Sequence, residues 1–354
     1  MERFIRYLQA GLEERQYGVR VFHRANSAPP PWQNPDVTNK LQWSVAGAIQ
    51  GYFIGRAARR ALHPGVKLVL SNSIVGWFPM GNGIRRAHFH HGTYRGHAER
   101  IRPFIRYRGY LKSKWWDSMV LERFSGRGTT VLCPSELVRD HVRRFFKYDA
   151  AVMWYPLDLD HFRPLDRSAC RRELGLTNTV PIGLFVGSTL ATKGFSTVEH
   201  LIRAFPHVQW LLALIGEVPE ALENAPNVRV FRNAPHALLP TLYNAADFSL
   251  CPSRYDSLPY VVLEALACGT PVIASPHGAS WTFHRDTEQR PLLVDSTDDV
   301  QGFERAVEMV ARDPDRWREI VARDVRPRLE ALMAPANWWP RFLSMVGLPA
   351  DGRV

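Results

Sequence analysis

"DFSLCPSRYDSLPYVVLEALACGTPVIAS", residues 247–275, decides how the rest of the chain is read. "DFSLC" and "PVIAS" are short apolar runs of β-forming residues. Between them Pro259 fits the first position of a helix that continues through "YVVLEALAC" to Gly269. A strand, a loop, a helix and another strand make the unit of a parallel sheet covered by helices. In such sheets ligands bind beyond the carboxyl ends of the strands, in the loops leading to helices. A helix opening at Pro259 offers the Ser257 and Leu258 amides and a partial positive charge to an anion, and phosphate is its natural guest. At 1.5 Å rise per residue Glu264 lies roughly 7 to 8 Å into that helix and leans back toward its start. Asp256 in the loop and Glu264 in the helix are therefore placed to hold two parts of one ligand.

The same alternation runs outward in both directions. Strands are expected near 19–24, 67–72, 87–91, 129–133 and 151–155, then at 181–187, 209–216, 228–231, 247–251, 271–275 and 291–295, with helical patterns in most gaps. At 354 residues the chain suits two doubly wound domains. The expected boundaries are a first domain over 1–155, a linker over 156–180 mixing prolines and charges, and a second domain over 181–335. The aromatic helix at 336–348 ("NWWPRFLSMVGL" at its heart) is expected to pack back on the first.

Composition excludes several classes. No apolar run approaches the roughly 18 to 20 residues of a membrane-spanning helix, and the acidic, amphipathic start "MERFIRYLQAGLEER" is unlike a secretory signal. A cytoplasmic protein is the expectation. Cys133, Cys170, Cys251 and Cys268 are widely spaced and read as buried free thiols. Residues 1–150 hold 25 Lys and Arg against 10 Asp and Glu, while 151–354 hold 20 against 24, so the basic excess belongs to the first half. It peaks in "RRAHFHHGTYRGHAERIRPFIRYRGYLKSK", residues 85–114, with nine basic side chains and one acid, Glu99. Such a surface draws anionic lipid or an acidic substrate, or is simply a solvated arginine-rich face. Phe104, Tyr107, Tyr110 and Trp115 are interleaved with these charges at helical spacing, which predicts that they face a core and argues against nucleic acid. His88 and His90 share one strand face as metal ligands do, but no third ligand is evident, and no metal is expected.

The acid-x7-Glu spacing of Asp256 and Glu264, joined to "EALACGTPVIAS", resembles the signature of retaining GT-B glycosyltransferases of the family 4 type. The resemblance covers nearly the whole chain and is strongest over about 180–295. It implies two Rossmann-like domains facing a central cleft. It also implies a donor that is a nucleotide diphosphate sugar of UDP or GDP type, an acceptor that is a glycan, a lipid-linked or a small molecule, and no cofactor. By the family's pattern Glu264 grips the ribose and Asp256 faces the donor sugar near its reacting carbon. "FVGSTLATKG" resembles the strand and loop carrying "GR…KG", so Lys193 matches the lysine that neutralises the departing diphosphate, beside Gly187. "HFHHGTYRG" resembles the segment whose His-Gly faces the donor sugar, which His91 and Gly92 match.

Two departures stand out. Ser188 replaces the family's arginine, leaving the diphosphate clamp one charge short unless Arg254 substitutes. Family members also begin with a strand and a Gly-Gly loop before the helix that "MERFIRYLQAGLEER" matches, so either the start lies upstream of Met1 or the first domain lacks its first strand. Two other functions share this fold expectation: a non-catalytic nucleotide-sugar-binding protein and a sugar-nucleotide epimerase. Contact with an anionic membrane, at its inner face, is a further expectation carried by the basic first half.

Overall fold

The structure is a computed structural model that describes residues 2–28, 40–81, 83–176 and 180–352. It divides into two compact units, residues Met1–Tyr155 with Trp338–Val354, and Pro156–Asn337. Each unit holds one parallel sheet with helices between its strands, so the class is α/β. Among the described residues no helix is long and apolar enough to cross a membrane.

The first unit's sheet contains β1 (Val69–Asn72), β2 (Arg86–Phe89), β3 (Thr130–Cys133) and β4 (Ala151–Val152), in that spatial order. Helix Glu136–Phe146 covers it, started by Ser135, whose hydroxyl accepts from the Val138 amide, and it buries Val138, Val142, Phe145 and Phe146 against β3. A second apolar face is aromatic. Helix Glu2–Glu14 buries Phe4 and Leu8, with the Phe4 ring 4.9 Å from Phe89 and 4.8 Å from Tyr155. Helix Pro335–Val346 closes this face: Trp338 is fully buried and Tyr7 stacks on Trp339 at 5.5 Å. A Cβ at Gly11 would lie 1.9 Å from the Trp339 ring, so only glycine lets the two helices approach this closely.

Two expectations fail in this unit. The strand read at 19–24 is absent: residues 18–23 run irregularly into a short helix, Arg24–Ser27. Its valine alternation is real, but no strand among the described residues pairs with it, and without a partner an extended segment cannot close its hydrogen bonds. Of the four aromatics of the basic stretch, Tyr110 is half-buried and the other three do not face a core. Phe104 is 44% exposed, Tyr107 64% and Trp115 56%. Phe104 ends a separate 3-10 turn, Arg102–Phe104, before the next helix begins, and for Trp115 the reason is local winding. The helix that begins at Tyr107 takes π geometry over Lys112–Glu122, which breaks the 3.6-residue register and turns Asp117, Ser118, Leu121 and Glu122 inward while Trp115 and Trp116 point out.

The second unit's sheet contains β5 (Ile182–Ser188), β6 (Gln209–Ile215), β7 (Val228–Arg232), β8 (Phe248–Cys251) and β9 (Val272–Ala274), in the order β7-β6-β5-β8-β9. Nearly continuous apolar runs such as "WLLAL" in β6 are what a strand covered on both faces requires, and Trp210 to Leu214 are buried. The chain moves outward from β5 to β7 and then returns to the other side of β5 with β8. That reversal opens a crevice at the carboxyl ends of β5 and β8.

The stretch 156–180 is not a bare linker. Helix Arg167–Glu173, capped by Asp166, belongs to the second unit, and its buried Arg171 bonds Asp247 at 2.7 Å. Residues 177–179 of that stretch lie outside the described residues. The strand read at 291–295 reduces to a tight turn, Arg290–Leu292, and one bridge from Leu293 to Ala274. Pro291 has no amide to give a ladder.

Candidate functional site

Three loops leave the carboxyl ends of β5, β8 and β9, and two glycines lock them together. Gly194 adopts φ +71°, and a Cβ there would sit 2.0 Å from the Pro252 carbonyl oxygen. The Arg254 amide also donates to the Thr192 carbonyl at 3.0 Å. Gly278 adopts φ +50°, and a Cβ there would approach the Ser257 carbonyl oxygen to 2.5 Å. Both positions need a left-handed backbone and close approach, which glycine alone supplies without strain.

The result is a cavity of about 290 Å³ lined by Gly187, Lys193, Cys251, Asp256, Leu258 and Pro259 among others. Lys193 Nζ donates to Asp256 Oδ2 at 2.9 Å, and the Leu258 amide donates to Asp256 Oδ1 at 3.2 Å. Burial opposes the lysine's charge, but the Asp256 carboxylate outweighs it and holds the ammonium above its ordinary range. Cys251 is a buried free thiol, pushed up to about 11 by desolvation, so it stays protonated at neutral pH. A larger depression of about 680 Å³ lies around Glu288, Arg305, Glu308, Arg312 and Trp317. It is open, lined by charges of both signs and set among helices, away from the strand ends where this fold binds ligands.

The other expected residues fall around this cavity or away from it. Helix Tyr260–Ala267 starts after Pro259, and within it Glu264 is 3% exposed, its Oε2 accepting from the Tyr243 hydroxyl at 3.1 Å. It is thus a buried, oriented carboxylate and not a solvated one. Ser257 contributes its carbonyl to the contact with Gly278. Ser188 ends β5 opposite Ile215 and is not part of the lining. Arg254 is committed elsewhere: its terminal nitrogens bond Asp298 at 2.7 and 3.0 Å.

In the first unit His91 follows β2. Its Nδ1 is 2.5 Å from the Tyr155 hydroxyl, and its ring lies against Phe89 at 4.9 Å. Burial pushes His90 and His91 down to about 3 and His88 well below the ordinary imidazole range, so all three are neutral at physiological pH. His88 pairs with Ser71 at 2.9 Å and His90 with Tyr148 at 3.0 Å, the structural use of these two rings. Among the described residues no group of three or more His, Cys, Asp or Glu could hold a metal.

Tyr243, Tyr155, Gly194 and Gly278 escaped sequence reasoning. Gly194 stood beside Lys193 in a motif already quoted, but nothing in "SPHGAS" marks Gly278 as a loop contact.

Comparison with known proteins agrees across the chain. The pattern described as Glycosyltransferase Family 4 matches residues 1–160, and that described as Glycosyl transferases group 1 matches residues 166–324. A D-inositol 3-phosphate glycosyltransferase of Segniliparus rotundus is 30% identical over 228 residues, 57% of this chain and 47% of that protein. The chain spans about half the length of the curated relatives of this kind that it matches. Among solved structures, a sucrose-phosphate synthase from Thermosynechococcus elongatus superposes with a TM-score of 0.67 at 21% identity, covering 87% of this chain and 78% of that one. Anabaena HepE, in complex with UDP and glucose, superposes with a TM-score of 0.62 at 14% identity, covering 89% of this chain and 84% of that one.

Proposed function

From a chain that belongs to the family 4, group 1 glycosyltransferases, we propose an enzyme that moves a sugar from a nucleotide diphosphate sugar, of UDP or GDP type, to an acceptor hydroxyl with retention of anomeric configuration. The observation that carries this reading is the meeting of Lys193 and Asp256 at 2.9 Å inside a cavity at the crevice where β5 and β8 end.

In the proposed reaction the bond from the anomeric carbon to the diphosphate breaks first. Negative charge growing on the leaving group is met by the Lys193 ammonium and the start of helix Tyr260–Ala267. Positive charge growing on the sugar is met by Asp256. The acceptor hydroxyl attacks from the leaving group's side and passes its proton to the departing diphosphate oxygen as the new bond forms. Glu264, oriented by Tyr243, is assigned to the ribose, which it can meet only through the small surface it keeps. Ser188 leaves Lys193 as the lysine half of the family's clamp, and the bond of Arg254 to Asp298 argues against that arginine as its replacement.

The acceptor is proposed to be anionic or lipid-linked and to bind the basic first unit. In support, the matched relative is named for an inositol phosphate and the matched structure for a sucrose phosphate. Exposed Tyr107, Trp115 and Trp116 beside Lys114 are the residue types that settle at an anionic bilayer surface, whereas Lys112 is held by the buried Asp117 at 2.8 Å. Cytoplasmic location, at the inner membrane face, belongs to the same reading.

The test is a thermal-shift screen of UDP, GDP, ADP and dTDP with their sugars, followed by product analysis with and without acceptor. Sugar transferred with retained configuration supports the reading. Binding without turnover favours a nucleotide-sugar-binding protein, and an altered sugar nucleotide without acceptor favours an epimerase.

A further inference from the structure

Two groups in the β5–β8 cavity are suited to a phosphate: the Lys193 ammonium and the Leu258 amide at the entry to helix Tyr260–Ala267. One side chain engages both. Asp256 reaches Lys193 Nζ through Oδ2 at 2.9 Å and the Leu258 amide through Oδ1 at 3.2 Å, the two-oxygen arrangement that a phosphate would itself adopt. The backbone beneath it is fixed. Gly278 packs so tightly that a Cβ there would fall 2.9 Å from the Asp256 carbonyl oxygen, and Gly194 holds the Lys193 loop against Pro252. The carboxylate can therefore leave these partners by side-chain rotation, without moving the loop.

We propose that the Asp256 carboxylate is a built-in competitor for the donor's diphosphate, displaced from Lys193 when the donor binds and thereby released to face the sugar; this rests on assigning the cavity to a nucleotide diphosphate sugar. The device links two events. A ligand without a phosphate at this position cannot replace the carboxylate on Lys193, so Asp256 stays paired and unavailable to the reacting carbon. A diphosphate takes over the ammonium, and the freed negative charge is then repelled toward the developing oxocarbenium-like centre. Specificity for the leaving group and readiness for transfer thus reside in one side chain. It sets a trade: weaker donor binding in return for a transition-state charge that appears only with the right donor in place.

The proposal predicts opposite effects on binding and on turnover. Titration calorimetry is run with inorganic pyrophosphate, UDP and GDP on the full chain, on Asp256→Asn and Asp256→Ser, and on Lys193→Ala alone and combined with Asp256→Asn. Removing a partly buried ion-pair competitor should tighten the diphosphate probes about fivefold in both Asp256 variants, while sugar transfer falls. The gain should vanish in the Lys193→Ala background, because the two side chains act through one contact. Thermal melting of each variant without probe establishes that it folds, and the serine variant replaces the asparagine one if that fails. If the unmutated chain binds a probe and the folded Asp256 variants bind it equally or more weakly, the competitor role is overturned and the donor assignment stands. A gain that persists undiminished without Lys193 also overturns it. If no probe binds the unmutated chain, the donor assignment and the proposal fall together.

Discussion

Replacing Gly194 with alanine tests whether the site is built by loop contact. Two penalties apply. An alanine held at φ +71° pays for a left-handed backbone, about 1 kcal/mol. Its Cβ would also meet the Pro252 carbonyl oxygen at 2.0 Å, against the 3.0 Å that real contacts respect, so the Lys193 and Asp256 loops must part by about 1 Å. Forced repacking of that kind costs about 1–3 kcal/mol, giving a total of about 2–4 kcal/mol. For a unit the size of Pro156–Asn337 this lowers Tm by roughly 5 to 15 °C. Gly216→Ala is the control: it lies in the same unit at φ +95° with nothing within 4 Å of the added carbon, so it should cost only the backbone term, roughly 2 to 4 °C. Both are read by scanning calorimetry, with nucleotide titrations alongside. Gly194→Ala should weaken nucleotide binding because the displaced loop carries the Lys193 ammonium away from the Leu258 amide with which it would share the diphosphate, and Gly216→Ala should keep it. Equal stability losses in the two variants would refute the contact between the loops.

Stability of the first unit should peak near pH 6.5. Burial raises the Glu122 carboxyl from 4.5 to about 8, so the folded state holds a proton that the unfolded chain has released, and stability falls as pH rises from about 5 to 8. His90, His91 and His141 are lowered to about 3, 3 and 4, so their contribution is present above 6.5 and is lost as pH falls below it. Urea melts across pH 5 to 9 should show both slopes, and Glu122→Gln should flatten the alkaline one; an unchanged alkaline slope would contradict the burial of its proton. Trp338→Ala should cost about 3–5 kcal/mol, because the fully buried indole seals helix Glu2–Glu14 against β2, and a melt within 1 °C of the unmutated protein would contradict that packing. In flotation assays the protein should rise with phosphatidylglycerol vesicles and not with phosphatidylcholine, and the double change Trp115→Ala, Trp116→Ala should lose most of that binding. Equal flotation with both lipids, or none, would end the membrane reading.

What the sequence made legible follows the strength of local signals. The second sheet was readable because "IGLFVG" and "WLLALI" are nearly continuous apolar runs of the kind buried parallel strands carry. Asp256 could be placed at a site because it follows the strand "DFSLC" at a loop, and Lys193 was joined to it by the resemblance of "FVGSTLATKG" to the family's strand and loop. Geometry made across the chain was not readable. Nothing near Glu264 announces Tyr243 as its partner, and the collision that fixes Gly278 involves a carbonyl from another loop. Periodicity failed where winding changed: the aromatic spacing from Phe104 to Trp115 assumes one helix of 3.6 residues per turn, but Phe104 ends a separate 3-10 turn, a helix starts only at Tyr107, and π geometry over Lys112–Glu122 turns Trp115 outward. The valines near residue 20 show the other failure, since a strand exists only if a neighbour completes its ladder.

The location of the donor diphosphate is tested most directly by hydrogen exchange read by mass spectrometry. With the nucleotide sugar that gives the largest thermal shift, amides of 185–194 and 250–261 should gain protection together, and Lys193→Ala should abolish the gain. Protection confined to the depression around Glu288 and Trp317, or none in the β5 and β8 loops at saturating nucleotide, would contradict it.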